Sequence, residues 1–120
     1  MATAFKNYTA QSIGTTAYYL ISQNSGGFNG GITSLTSGKA VIMVGCMISN
    51  RLTSSIAVDV AHYQNAGSKT TYLCKSLAIP AGDAIEVVQG KIVLVGSDDI
   101  SVVSDTASSV DVVLSILFDA

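Results

Sequence analysis

Val110-Asp111-Val112-Val113-Leu114-Ser115-Ile116-Leu117-Phe118 alternates strictly in one set: every even position is apolar, whereas the odd positions, continued by Asp119, mix Asp111 and Ser115 with Val113 and Leu117. A period of two is that of a strand, with Val110, Val112, Leu114, Ile116 and Phe118 turned into a core and the other face partly wet. The segments before it read as short strands too: Ala84 to Gln89, Lys91 to Val95 and Asp99 to Ser104. They are parted by Gly90, by Gly96-Ser97-Asp98 and by Asp105-Thr106-Ala107-Ser108. Pro80, the only proline, sits in Ile79-Pro80-Ala81-Gly82-Asp83. There it fixes its own φ and Gly82 can take a positive φ, which predicts a turn.

Further upstream, Ser55 to Tyr63 puts Ile56, Val58, Val60 and His62 on one face and Ala57, Asp59, Ala61 and Tyr63 on the other. Gln64-Asn65-Ala66-Gly67-Ser68 then returns the chain through Lys69 to Lys75, which predicts a long antiparallel hairpin. Ala40 to Ile48 is apolar on both faces. Such a run fits a central strand covered from both sides, or one at a subunit contact, and Gly45 inside it marks a bulge or a close backbone approach. Ile13 to Ile21 is rich in β-favouring residues, and Ile32 to Leu35 reads as a brief strand. Between them Ser22 to Gly31, with four glycines and Phe28 as its one large apolar side chain, reads as a loop. Ala4 to Thr9 is an edge strand or an arm.

No segment sustains a helical period. About eight short strands ended by turn residues predict an all-β protein, an antiparallel β-sandwich or jelly roll. With 120 residues, one domain spanning 1–120 is expected, residues 1–10 being its arm or edge strand.

Charged residues make up 12% of the chain, about half the ordinary share, and apolar ones 48%. So little charge protects a monomer poorly against association, so part of the surface is expected to lie under other subunits. A net charge of -2 with six scattered basic residues argues against direct nucleic-acid binding. The longest apolar run is far short of a membrane helix, and the N-terminus lacks a secretory h-region, so assembly in a cytoplasm is expected. In that setting Cys46 and Cys74 read as buried free thiols in preference to a disulfide between neighbouring strands.

Catalytic and metal constellations do not assemble. His62 is the sole histidine, and it reads as a strand residue hydrogen-bonded at the edge of the core. The serines form no Gly-x-Ser-x-Gly elbow. Asp83, Asp98, Asp99 and Asp105 fall in predicted turns without the spacing of a calcium loop. Gly38-Lys39 is followed by Ala40 where a phosphate loop needs Ser or Thr. No enzyme, cofactor or metal is expected. A carbohydrate-binding module is a competing reading for a sandwich, weakened by the absence of tryptophan and the few aromatics, Tyr18, Tyr19, Tyr63 and Tyr72 among them.

Met1-Ala2-Thr3-Ala4-Phe5-Lys6-Asn7-Tyr8, Ile79-Pro80-Ala81-Gly82-Asp83, Glu86 to Leu94 and Ala107 to Ser115 together resemble segments of small virion structural proteins of tailed bacteriophages, cyanophages included. The resemblance covers the N-terminal octapeptide and most of the final third. It implies a place on the capsid surface as a decoration (cement) protein, with the major capsid protein and further copies of itself, most simply as a homotrimer, as partners. A part in the neck or tail is the alternative. For the contacts, Phe5, Lys6 and Tyr8 are candidates as an arm onto a neighbour, and Phe28 with its glycine-rich loop as a second, a self-packed loop being the alternative for both.

Overall fold

The computed structural model describes residues 4–22, 40–64, 68–95 and 98–118. Nine strands run through them: β1 (Ala4–Ile13), β2 (Tyr18–Ser22), β3 (Val41–Asn50), β4 (Ile56–Gln64), β5 (Lys69–Ile79), β6 (Ala84–Glu86), β7 (Ile92–Leu94), β8 (Asp99–Ser104) and β9 (Val110–Phe118). All pairings are antiparallel, in two sheets. Sheet A has the order β1-β9-β3-β6, with β7 also paired to β3; sheet B has the order β2-β8-β4-β5. Among the described residues there is no helix, hence none long and apolar enough to cross a membrane.

The order obeys a simple rule once β6 and β7, which share the flank of β3, are counted as one broken strand. First pairs with last, second with second-to-last, third with third-to-last, and the middle two form the hairpin β4–β5. A long antiparallel ribbon folded across itself in this way is a jelly roll. Of the two architectures expected from the sequence, the protein adopts this one.

The core lies between the sheets. β9 supplies Val110, Val112, Leu114 and Ile116, each 1% exposed or less, as its even-numbered alternation requires. Opposite them stand Ile56, Val58 and Val60 of β4 and Ile100 and Val102 of β8. β3 contributes Val41 and Met43 and then, across a register shift between Met43 and Gly45, Cys46 and Ile48. The bulge moves the inward set from odd to even positions. That is why the apolar run of β3 shows no clean alternation.

Several boundaries differ from those expected. β1 is an edge strand of ten residues, not a free arm. The segment expected as one strand from Ile13 to Ile21 is broken at 14–17, where the chain leaves sheet A for sheet B. The segment expected from Ala84 to Gln89 pairs only as far as Glu86. There the Glu86 carboxylate turns into the β3 bulge and accepts the Cys46 N–H at 2.6 Å and the Val88 N–H at 3.0 Å. A Cβ on Gly45 would stand 3.3 Å from Glu86 Oε1, so glycine leaves room for this plug. The expected brief strand at 32–35 lies outside the described residues.

The Pro80 turn is present, closed by the Asp83 N–H to the Pro80 carbonyl at 3.0 Å, with Gly82 at φ 71°. That φ penalises any side chain, so Gly82→Ala is expected to cost about 1 kcal/mol in a urea-unfolding measurement.

Candidate interaction surface

The outward face of sheet A is where sequence and fold disagree most with an ordinary soluble surface. Its register fixes three successive rows of side chains running across the strands. In the first row Phe5 pairs with Leu117, Leu117 with Ile42, and Ile42 with Val93, four apolar residues on four strands. Phe5 is 79% exposed and Val93 55%. The second row is small and polar: Asn7 pairs with Ser115, and Ser115 with Gly45. In the third, Thr9 pairs with Val113, Val113 with Met47, and Met47 with Glu86. Val113, Met47 and, in the bulge, Val44 are each at least two-fifths exposed.

None of these side chains belongs to the core between the sheets, which is built from the inward set. β3, expected to be either covered on both faces or placed at a subunit contact, is covered on one face only by the described residues of its own chain. Charge is confined to the margins. Glu86 is turned back onto the backbone of β3 and of the segment after β6, and Asp111, beyond the third row, is held by Arg51 Nη1 at 3.2 Å and accepts the Ser12 N–H at 3.0 Å.

Of the candidate contact residues, Phe5 stands in the first row of this face. Lys6 and Tyr8 lie in β1, paired with Ile116 and Leu114, but their side chains fall outside the described residues, as does Phe28 altogether. Leu117, Ile42, Val93, Val113 and Met47 were not singled out by the sequence reading. The odd positions of β9 carried the signal, because two of them, Val113 and Leu117, are apolar on what would be the wet side.

The outward face of sheet B has a different chemistry. Tyr19 pairs with Ser101, Ser101 with Ala61, and Ala61 with Tyr72, so hydroxyls and small side chains dominate. Lys75 lies over the Tyr72 ring at 4.8 Å, and Tyr18 packs on the core. At the β5 bulge beside them, Asp59 accepts the Ser76 N–H at 2.6 Å and the Lys75 ammonium at 2.9 Å. The Ser76 N–H first, and Lys75 second, hold the Asp59 carboxyl below its ordinary value; the Ala57 N–H and then the Thr106 hydroxyl do the same for Asp105.

Lowered carboxylate values stabilise the fold above the unfolded pKa, near 4, and that contribution is lost as pH falls through the folded values. The urea midpoint is therefore expected to drop on acidification from pH 5 to pH 2.5, and Asp59→Asn to shallow the drop.

His62 Nε2 lies 3.2 Å from the Oδ2 of Asp98, which also accepts the Val95 N–H at 3.2 Å. The hydroxyl cluster of Ser104 and Ser109, 2.6 Å apart, sits four residues along β8 from the partner of His62, about 13 Å away. Cys46 and Cys74 are free and lie in opposite sheets, not on neighbouring strands. Burial first, then the Glu86 and Cys74 charges, push the Cys46 thiol up to about 12, so at neutral pH it is a protonated apolar group and not a nucleophile. Among the described residues no three of His, Cys, Asp or Glu are grouped to hold a metal ion.

The chain was compared with family models, with curated proteins and with solved structures, and none of them matches it.

Proposed function

We propose that this chain is a virion structural protein of a tailed bacteriophage, a decoration protein that binds the outer capsid surface and stabilises the shell. One observation carries the reading: a jelly roll, poor in charge, whose outward sheet A face carries apolar side chains in two rows on either side of a small polar one. Such a face costs a monomer solubility and gains free energy only when another subunit covers it. A cement protein works in this way, since its copies bind only the assembled state and so shift the equilibrium toward it. Avidity among linked copies multiplies contacts that are weak one by one. Jelly rolls serve in capsids and in lectins alike, so the fold supports this reading only by analogy.

Quantitative mass spectrometry of purified particles tests it through the copy number of this chain against the major capsid protein. A ratio of the same order supports decoration. A count that fills one small ring moves the protein to the neck or tail, and absence from the particle overturns the virion reading.

A further inference from the structure

We propose that the outward face of sheet A is occupied by a second copy of this chain, packed sheet on sheet about a twofold axis that runs along the small row Asn7–Ser115–Gly45. The inference deepens the decoration reading, on which its biological setting rests, and replaces a threefold cluster with a dimer.

Three features favour a second copy over a different partner. Area is the first. Three strands about nine residues long, at about 3.4 Å per residue, and the broken flank of β6 and β7, all spaced about 4.8 Å apart, present a face of about 20 by 30 Å. That projection of about 600 Å² already reaches the lower end of what each partner buries in a stable complex.

Charge is the second. A twofold contact sets every residue against its own kind of surface, so a charged face repels itself. Here the three rows are uncharged except for Glu86 at one end, and its carboxylate is bound by the Cys46 and Val88 N–H groups. A partner recognised through charge would find nothing to pair with at the centre of this face.

Relief is the third. The large row Phe5–Leu117–Ile42–Val93 and the moderate row Thr9–Val113–Met47 flank the small row on either side. Rotation by 180° about the small row lays the large row of each copy over the moderate row of the other. Phe5 then meets Thr9 and Leu117 meets Val113, bulky on smaller, while Ile42 meets Met47 and Val93 meets the Glu86 end of the row; the small residues on the axis let the sheets approach. The open depression lined by Thr9, Gln11, Asp111 and Val113 comes to lie where the partner copy brings its Phe5 ring.

Sedimentation equilibrium of the purified chain at tens of micromolar tests the occupant. A species of twice the 12.3 kDa chain mass is expected. Val113→Lys and Val93→Lys each raise the dissociation constant at least 100-fold, whereas Thr70→Lys, on the other sheet, leaves it unchanged. Circular dichroism of each variant checks the fold.

The axis is tested separately in a Cys74→Ser background with a short bismaleimide. Ser115→Cys is expected to cross-link to its own copy. Phe5→Cys does not, because the two Phe5 positions stand about 13 Å apart along the strands.

A monomeric or trimeric wild type, or a dimer indifferent to both lysines, overturns the inference. So does cross-linking through Phe5→Cys in place of Ser115→Cys. These outcomes are independent of particle copy number. A monomer that still enters particles, and fails to do so as Val113→Lys, assigns the face to the shell and leaves decoration standing.

Discussion

Leu114→Ala is expected to destabilise the fold by about 3 kcal/mol, lowering the melting temperature by roughly 10 °C. Leu114 is fully buried on β9, which lies between β1 and β3 in sheet A, and its register partners are Tyr8 and Cys46. A cavity there faces two sheets at once, so neighbours cannot close it without disturbing both ladders. The adjacent Val113→Ala removes about two-thirds as much hydrocarbon, from a side chain that is 49% exposed. At concentrations where the chain is monomeric it is expected to cost under ~1 kcal/mol. Urea unfolding of the two variants side by side measures the contrast. Equal losses would mean that the outward face is packed as tightly as the inward one.

Asn50→Ala is expected to cost about as much, near 3 kcal/mol, through polar groups instead of volume. Asn50 ends β3 and is 2% exposed. Its amide nitrogen donates to the carbonyls of Ser54 at 2.7 Å, Ile79 at 3.0 Å and, more weakly, Pro80 at 3.3 Å. Its Oδ1 accepts the Leu52 N–H at 2.9 Å. One side chain thus ties the end of a sheet A strand to the end of β5 in sheet B and to the turn that leaves β3.

Alanine strands these backbone groups away from water, and buried carbonyls without donors are what folded proteins avoid. Asn50→Asp is expected to be worse at neutral pH, since a carboxylate would face carbonyl oxygens, and to recover partly on acidification as a protonated carboxyl regains one donor. Thermal melts at pH 7 and pH 4.5 distinguish the two substitutions.

Asn50 also marks where sequence reading stops. In one dimension it opens Asn50-Arg51-Leu52-Thr53-Ser54 and reads as an ordinary polar turn residue. Its burial follows from where β5 and the Pro80 turn arrive, 29 and 30 residues later. The same holds for Glu86: a lone carboxylate in an apolar segment gives no hint that it plugs the bulge beside Gly45, 40 residues upstream.

Local pattern by itself determined the elements. The alternation of Val110 to Ile116, the inward set Ile56, Val58 and Val60, the hairpin that follows and the turn at Pro80 are each dictated by a handful of neighbouring residues, because strand pleat and turn φ angles are short-range properties. The all-β class follows from them, with about eight strands expected and nine found among the described residues. The β3 bulge was legible at Gly45; tertiary structure alone decided the strand order that makes the sandwich a jelly roll and the alignment of Phe5, Leu117, Ile42 and Val93 in one row. Those four lie on strands far apart in sequence, and only pairing register brings them side by side. An apolar residue on a strand reports that it will be covered; whether its own chain or another does the covering is a property of the assembled sheets.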